Sequence, residues 1–235
     1  MAAISRRAVV SETAEDYLKQ ILKVQAATGK AASTTELAQR LKVSTAAVTN
    51  MLKRLSERGL VNHSFYKGVT LTESGRKVAM ELVRHHRLIE VFLARVLDYT
   101  WDEVHDEAEH LEHHISDRLE QKIAAYLGHP THDPHGSPIP GPDLQMPESD
   151  LFPLSEALPG QKVVVRRVTG PNSELLRYLE QEGLVLQTAL EVIEKAPFNG
   201  PLKARGRKRE HLVWREIADH IYVELVEAAP SGRKS

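Results

Sequence analysis

Residues 34–61 read TTELAQRLKVSTAAVTNMLKRLSERGLV. Two short segments with helical periodicity, Thr34 to Leu41 and Ser44 to Arg58, meet at a Lys42-Val43 turn, and each opens on a hydroxyl residue able to cap a helix. Leu37, Ala38, Leu41, Val43, Val48, Leu52 and Leu55 fall where two crossed helices pack, and Gly59 stops the second one. Outside on that second helix remain Ser44, Thr45, Ala47, Thr49, Asn50, Lys53 and Arg54: short hydrogen-bonding groups toward its N-terminal half, cations toward its C-terminal half. Such a helix enters a DNA major groove N-terminus first, with hydroxyls and Asn50 at base edges or phosphates and the cations on the backbone. Thr35, on the helix before it, joins this set of expected contacts.

On either side of this segment the reading holds together as a winged helix-turn-helix over residues 1–75. Residues 11–27 carry a helical period that ends before Gly29. Val61 to Leu71 alternates around Lys67-Gly68 as a hairpin whose tip puts Lys67 within reach of a flanking phosphate, and Thr72 caps the next helix. Two long helices, Thr72 to about Tyr99 and Trp101 to about Leu127, make a helical region over 76–128. Eight of the twelve prolines then crowd between Pro130 and Pro159, so 129–160 is a linker or extended arm. Val163 to Val165, Leu184-Val185, Leu190 to Ile193, His211 to Val213 and Ile221 to Leu225 are strand-like runs, with one helical piece near Ser173 to Gln181, and predict a small β-barrel over 161–228. The fold class is mainly α with small β.

Charge divides along the same boundaries. Residues 1–77 hold thirteen Lys or Arg against six Asp or Glu, a net of +7, whereas residues 78–127 hold five against eleven, a net of −6. A basic lobe suits a polyanion and an acidic one a cation. The absence of cysteine excludes disulfides, zinc ribbons, iron–sulfur clusters and thiolate catalysis, so any metal is held by imidazole and oxygen. No run of eighteen apolar residues occurs, and MAAISRRAVVSE lacks the marks of a secretory signal, which leads us to expect a cytoplasmic protein with no membrane partner.

Nine of the twelve histidines lie between His85 and His135, within and just beyond the acidic region. On the helix from Trp101, His105, Glu109, Glu112 and His113 stand at i, i+4, i+7 and i+8 and share a face; on the helix before it, His86 and Glu90 form an i, i+4 pair. A solvated face explains any one of them. Three imidazoles and three carboxylates on facing helices are costly to bury together unless a divalent cation joins them. Asp16 is a further candidate, although Thr13 and Asp16 also match a capping box in which the carboxylate only reaches back to an N-terminal amide. In the arm, His129, His132, Asp133 and His135 are either more ligands or ordinary loop residues. A metal-dependent hydrolase is the rival from another class, but Glu109-His110-Leu111-Glu112-His113 lacks the His that an inverted zincin needs at position 109, and HExxH is absent. A small-molecule-sensing winged-helix regulator is the second rival.

The segments TAEDYLKQIL, ELAQRLKVSTAAVTNMLKRLSERGLV, LTESGR, RHHRLIEVFL, VHDEAEHLEHHISDRLE and HPTHDPHGSPIP together resemble the diphtheria toxin repressor and manganese transport regulator family over nearly the whole chain. The resemblance implies a winged helix, a helical metal-binding and dimerisation domain and an SH3-like barrel. It implies a primary metal site on Asp16, Glu109, Glu112 and His113 with His86 nearby. It implies an ancillary site on Glu90 and His105 or on Asp133 and His135, with a contribution from the C-terminal lobe near Glu174. Iron-responsive members resemble this chain but carry Met where Asp16 stands and Cys where Glu109 stands; carboxylates make a harder site, which suits Mn²⁺, with Fe²⁺ the alternative. Shorter manganese regulators have an acidic residue where this chain has Lys19, and relatives with a barrel often have Cys where Asp133 is. The implied function is a homodimeric, non-enzymatic, metal-dependent repressor of metal-homeostasis genes acting on a palindromic double-stranded DNA operator. Without metal, Glu109, Glu112 and Asp16 are expected to repel one another and leave the first helix loosely held.

Overall fold

The computed structural model describes residues 10–64, 68–170, 172–207 and 209–226. They form two compact units, one from the described residues of 1–89, 108–131 and 139–146, the other from the described residues of 90–107, 132–138 and 147–235.

In the first unit, α1 (Glu12–Thr28) opens at Ser11, whose side chain accepts from the Ala14 N–H, and closes at Gly29 in the left-handed conformation. α2 (Thr34–Leu41) and α3 (Thr45–Glu57) are capped in the same way by Ser33 and Ser44. Their apolar faces meet that of α1 in a single core in which Leu18, Ile21, Leu37, Val48, Leu52 and Leu55 are sealed from solvent. Val43, expected in that core, is instead 41% exposed: it ends α2 by giving its backbone N–H to the Ala38 carbonyl, and its side chain stays at the rim. The wing is the antiparallel pair β1 (Val61–Ser64) and β2 (Gly68–Leu71), extended by a bridge from Ala32 to Val69. Lys67, expected at its tip, lies outside the described residues.

Thr72 accepts from the Gly75 N–H at 3.1 Å and starts α4 (Glu73–Val96). The single helix expected from Trp101 to Leu127 is in fact two, α5 (Val104–Leu111) and α6 (Asp117–Tyr126). Ser116 restarts the second by accepting from the Leu119 N–H, so the apolar periodicity carries through a break in the backbone. Glu112 and His113 therefore sit in the turn after α5, and the four-residue face drawn from a continuous helix is not formed.

The second unit contains a six-stranded antiparallel sheet in the order β3-β8-β4-β5-β6-β7. Its strands are β3 (Phe152–Pro153), β4 (Lys162–Val168), β5 (Ala189–Lys195), β6 (Leu202–Arg205), β7 (Glu210–Val213) and β8 (Ile221–Leu225), with helices α7 (Ser173–Glu182) and α8 (Arg215–Ala218). Alternate residues such as Val163, Val165, Val192, Ala204 and Val223 point inward onto Leu176 and Leu179 of α7. Leu184-Val185, expected as a strand, is irregular chain just after α7: Leu184 gives its N–H to the Leu179 carbonyl and buries its side chain in the core. β3 and β6 go beyond the expected strands, and β3 begins inside the stretch expected to be linker.

The N-terminal part of that stretch is also ordered. Asp133 Oδ1 accepts from the backbone N–H groups of His135 and Ser137, each at 2.8 Å, and the His135 carbonyl accepts from Val168 of β4. Gly136 has φ +82, and a Cβ there would lie 2.0 Å from the Arg166 carbonyl oxygen, so only glycine lets the arm lie this close to β4. Gly136→Ala should therefore destabilise the second unit by about 2 kcal/mol or more, combining left-handed strain with steric overlap. Thermal melting of the metal-free protein measures it.

Candidate metal centres

The first centre is built on α1. Asp16 is presented from its first turns, with Glu112 and His113 coming from the turn after α5; one ligand atom of each lies within 4.8 Å of the others. Because Ser11 and not Thr13 caps α1, the capping-box reading of Asp16 falls away, and its Oδ1 lies 3.1 Å from His113 Nε2. The other ring nitrogen, Nδ1, is 2.7 Å from Glu15 Oε2. A carboxylate accepts only, so Nδ1 carries a proton that it donates to Glu15. That leaves Nε2 facing Asp16 and, at 3.5 Å, Glu112 Oε1. A nitrogen lone pair does not face two anionic oxygens unless a cation stands between, so the position suits a proton or a metal ion. Burial alone would lower the His113 pKa, but hydrogen bonds to Asp16 and Glu15 overcome it and raise the value to about 10.

Beside this group, Lys19 reaches from the next turn of α1 with only 2% of its side chain exposed. Its ammonium donates to Glu109 Oε1 at 2.8 Å and to both oxygens of the fully buried Glu112, at 2.7 and 2.8 Å. His86 Nδ1 lies 2.5 Å from Glu112 Oε2. Burial pushes the Glu109 carboxyl up, yet the charge of Lys19 and its hydrogen bond bring it down to about 2. Lys19 thus brings a cation from α1 to two of the three carboxylates expected to repel one another, while Asp16 and Glu112 still face each other across His113 Nε2. Glu109, expected beside Asp16, has its Oε1 engaged by Lys19.

The second centre brings together Glu90, Asp133 and His135, all buried. His135 Nε2 is 2.7 Å from the Trp101 carbonyl oxygen, which can only accept, so Nε2 holds the proton and Nδ1 presents a lone pair. That lone pair lies 3.8 Å from Glu90 Oε1. A backbone acceptor that fixes the tautomer of a ring in this way is the usual outer support of a metal-ligating histidine. His105 Nδ1 is 3.2 Å from the same Glu90 oxygen. Glu174 is exposed in the first turn of α7 and belongs to no such group among the described residues. Glu15 escaped the sequence reading. An acid in the first turn of a helix is ordinary, and only its burial at 3% betrays a further role.

In the first unit, Thr35, Ser44, Thr45, Ala47, Thr49, Asn50, Lys53 and Arg54 are all exposed. Ser44 is occupied as the cap of α3, and the Thr49 hydroxyl donates to the Thr45 carbonyl at 2.9 Å.

Residues 9–69 match the model of the iron dependent repressor N-terminal DNA binding domain, 72–141 that of the iron dependent repressor metal binding and dimerisation domain, and 152–225 the FeoA domain. The iron-dependent repressor IdeR of Mycobacterium tuberculosis is 32% identical over 227 residues, which span 92% of this chain and 98% of that one. The chain belongs to the iron-dependent repressor family. A solved manganese-dependent transcriptional repressor in complex with manganese is similar to this family member with TM-score 0.85 and 40% identity, covering 91% of this chain and 100% of that chain. The manganese regulator SloR is similar with TM-score 0.77 and 34% identity, covering 91% and 98%. The FeoA match gives the six-stranded domain its SH3-like class.

In this repressor, Lys19→Met takes from the buried Glu112 the ammonium that both its oxygens accept from, leaving it only the imidazoles of His86 and His113, and should cost about 3 kcal/mol in the metal-free protein, the lower end for a broken buried pair; differential scanning calorimetry reads the fall in Tm. A metal ion needs neutral His113, so the proton competes below pH 10, apparent Mn²⁺ affinity rises with pH, and loading at pH 7 should release about one proton per ion at this centre. Titration calorimetry in buffers of different ionisation enthalpy counts that proton. In Glu15→Gln the imidazole loses a charge that raises its pKa, so the proton count should fall and affinity drop by about 10–100-fold.

Proposed function

We propose that this chain is a manganese-dependent transcriptional repressor: a homodimer that binds a palindromic DNA operator when metal joins its first helix to the turn after α5. The observation that carries the reading is His113 Nε2 held between Asp16 and Glu112, two carboxylates from different elements. When bound, Mn²⁺ would supply the divalent charge that this pocket of oxygen and imidazole donors is suited to neutralise. Asp16, Glu112 and His113 hold it there, Glu15 orients the ring, and Lys19 stays between Glu109 and Glu112 and offsets one of their two charges in either condition. Because Leu18 and Ile21 of the same α1 lie in the core that seats α2 and α3, fixing α1 fixes the attitude of the reading helix. Glu90, Asp133 and His135 form the ancillary site, with His105 against Glu90. His86 supports the first centre through Glu112.

The absence of cysteine and the oxygen and imidazole donors of the candidate groups favour Mn²⁺ over softer, later ions, and Fe²⁺ is the alternative that the iron-dependent relatives suggest. We assign residues 1–75 to DNA binding, 76–128 to metal binding and dimerisation, 129–160 to the arm and 161–228 to the SH3-like domain. On α6, Leu119 at 47% and Tyr126 at 74% exposure supply apolar surface for pairing with a second copy. The protein acts by binding rather than catalysis, in the cytoplasm; no helix among the described residues is long and apolar enough to cross a membrane. With Ser44 and Thr49 engaged in their own helix, base reading falls chiefly to Asn50, with Thr45 and Ala47 beside it and Lys53, Arg54 and Thr35 on the backbone.

Mobility shift on a promoter pool, with Mn²⁺ and then with chelator, tests the reading: binding should require metal, and equal binding in both conditions would refute it. In the same assay Asn50→Ala should cost about 1–3 kcal/mol at particular base pairs, and Lys53→Ala should weaken all sequences alike.

A further inference from the structure

Between Lys195 and Arg209 the sequence holds six cations, Lys195, Lys203, Arg205, Arg207, Lys208 and Arg209, and no acid. Among the described residues the fold gathers Lys203, Arg205, Arg207 and Arg209 on one hairpin. β6 and β7 pair in the register Leu202↔Val213, Lys203↔Leu212, Ala204↔His211 and Arg205↔Glu210. Leu202, Ala204, His211 and Val213 are buried, so Lys203 and Arg205 face outward by strand alternation. The tip is closed by the Gly206 N–H donating to the Arg209 carbonyl at 2.9 Å, which holds Arg205, Arg207 and Arg209 in a tight turn. β7 stands at the end of the strand order, so the hairpin lies at the sheet's edge.

We infer that the β6–β7 hairpin is a second DNA-binding surface that grips the phosphate backbone of duplex DNA. The inference rests on the reading of the chain as a DNA-binding repressor. Acidic neighbours do not cancel the patch: Glu210 meets Lys203 at 2.8 Å and Arg205 at 3.4 Å, Glu191 meets Arg205 at 3.6 Å and Glu182 meets Arg209 at 3.4 Å. Arg207 forms no ion pair among the described residues. Exposed pairs of this kind are weak and exchange readily for phosphate. Guanidinium forks match phosphate oxygens in pairs, which favours phosphate over a diffuse anionic surface. The tip Arg205-Gly206-Arg207-Lys208-Arg209 offers no aromatic side chain to stack an unpaired base and no apolar one to enter lipid. It offers no Asn or Gln to read adenine, and although arginine can also read guanine, a contact made only to phosphate adds affinity to operator and scrambled duplex alike.

The test uses the full-length protein loaded with Mn²⁺ and compares it with the triple variant Arg205→Gln, Arg207→Gln, Arg209→Gln. Fluorescence anisotropy follows binding to an operator duplex and to a scrambled duplex across a salt series. Each phosphate no longer neutralised makes the log–log slope shallower by about 0.9, so the triple variant should lose roughly 2–3 units for each protomer of the dimer that engages, on both duplexes, while operator preference and the Mn²⁺ midpoint stay unchanged. Arg207→Glu, a single change at the exposed tip, should weaken both duplexes with an unchanged melting temperature, which guards against a folding artefact. An unchanged slope in the triple variant overturns the inference, as does binding to phosphatidylserine vesicles that depends on these arginines while the DNA slope stays the same. Wild-type protein that binds no DNA at any Mn²⁺ concentration overturns the functional reading, and this inference with it.

Discussion

A buried carboxylate must have a counter-charge, and the fully buried Glu112 has one supplied by its own protein in the ammonium of Lys19. That constraint organises the first centre. Lys19 offsets one of the two charges on Glu109 and Glu112 and, being tethered to α1, does so without drawing an ion from solution. In the function proposed above, the remaining anionic character, between Asp16 and Glu112 around His113 Nε2, is answered by a charge that can be exchanged. The protein thus divides one acidic cluster into a fixed half and a replaceable half, and only the replaceable half can report on the surroundings.

α1 makes that division consequential. Glu15, Asp16 and Lys19 serve the centre, while Leu18, Ile21 and Val24 of the same helix are sealed into the core that positions α2 and α3. Whatever holds the polar side of α1 therefore acts through packed, incompressible contacts on the helix that presents Asn50 and Lys53. The second centre is supported differently. The Trp101 carbonyl sets the tautomer of His135, and the arm is held to β4 by a backbone hydrogen bond and by the close approach of Gly136. Rigid outer support of this kind suits a site that orders a segment rather than one that switches it.

Much of the fold is legible in the sequence wherever local chemistry decides the outcome. The Ser44 cap, Gly29, Gly59 and the period of α1 to α3 are such cases, whereas the caps of α1 and α2 fall on Ser11 and Ser33 and not on the neighbouring threonines Thr13 and Thr34. The break after α5 is not legible, because Ile115, Leu119 and Ile123 continue a helical rhythm while Ser116 quietly starts a new helix. β6 is hidden because Leu-Lys-Ala-Arg alternates over too few residues, and β3 because two residues among prolines give no pattern. Of the site, Asp16, Glu112, His113, Glu90, Asp133 and His135 can be named from residue type and resemblance. Glu15 and the burial of Lys19 cannot, since an i, i+4 Glu–Lys pair on a helix reads as a solvated surface pair. Only the tertiary structure shows that both are buried and that each turns toward a different partner.

Anomalous scattering at the manganese edge, from crystals grown with Mn²⁺, addresses this division of charge most directly. The account predicts one peak bonded to Asp16, Glu112 and His113 Nε2 and another bonded to Glu90, Asp133 and His135 Nδ1, with the Lys19 ammonium still lying between Glu109 and Glu112. A manganese ion in the place of that ammonium, with Lys19 turned out to solvent, would contradict it.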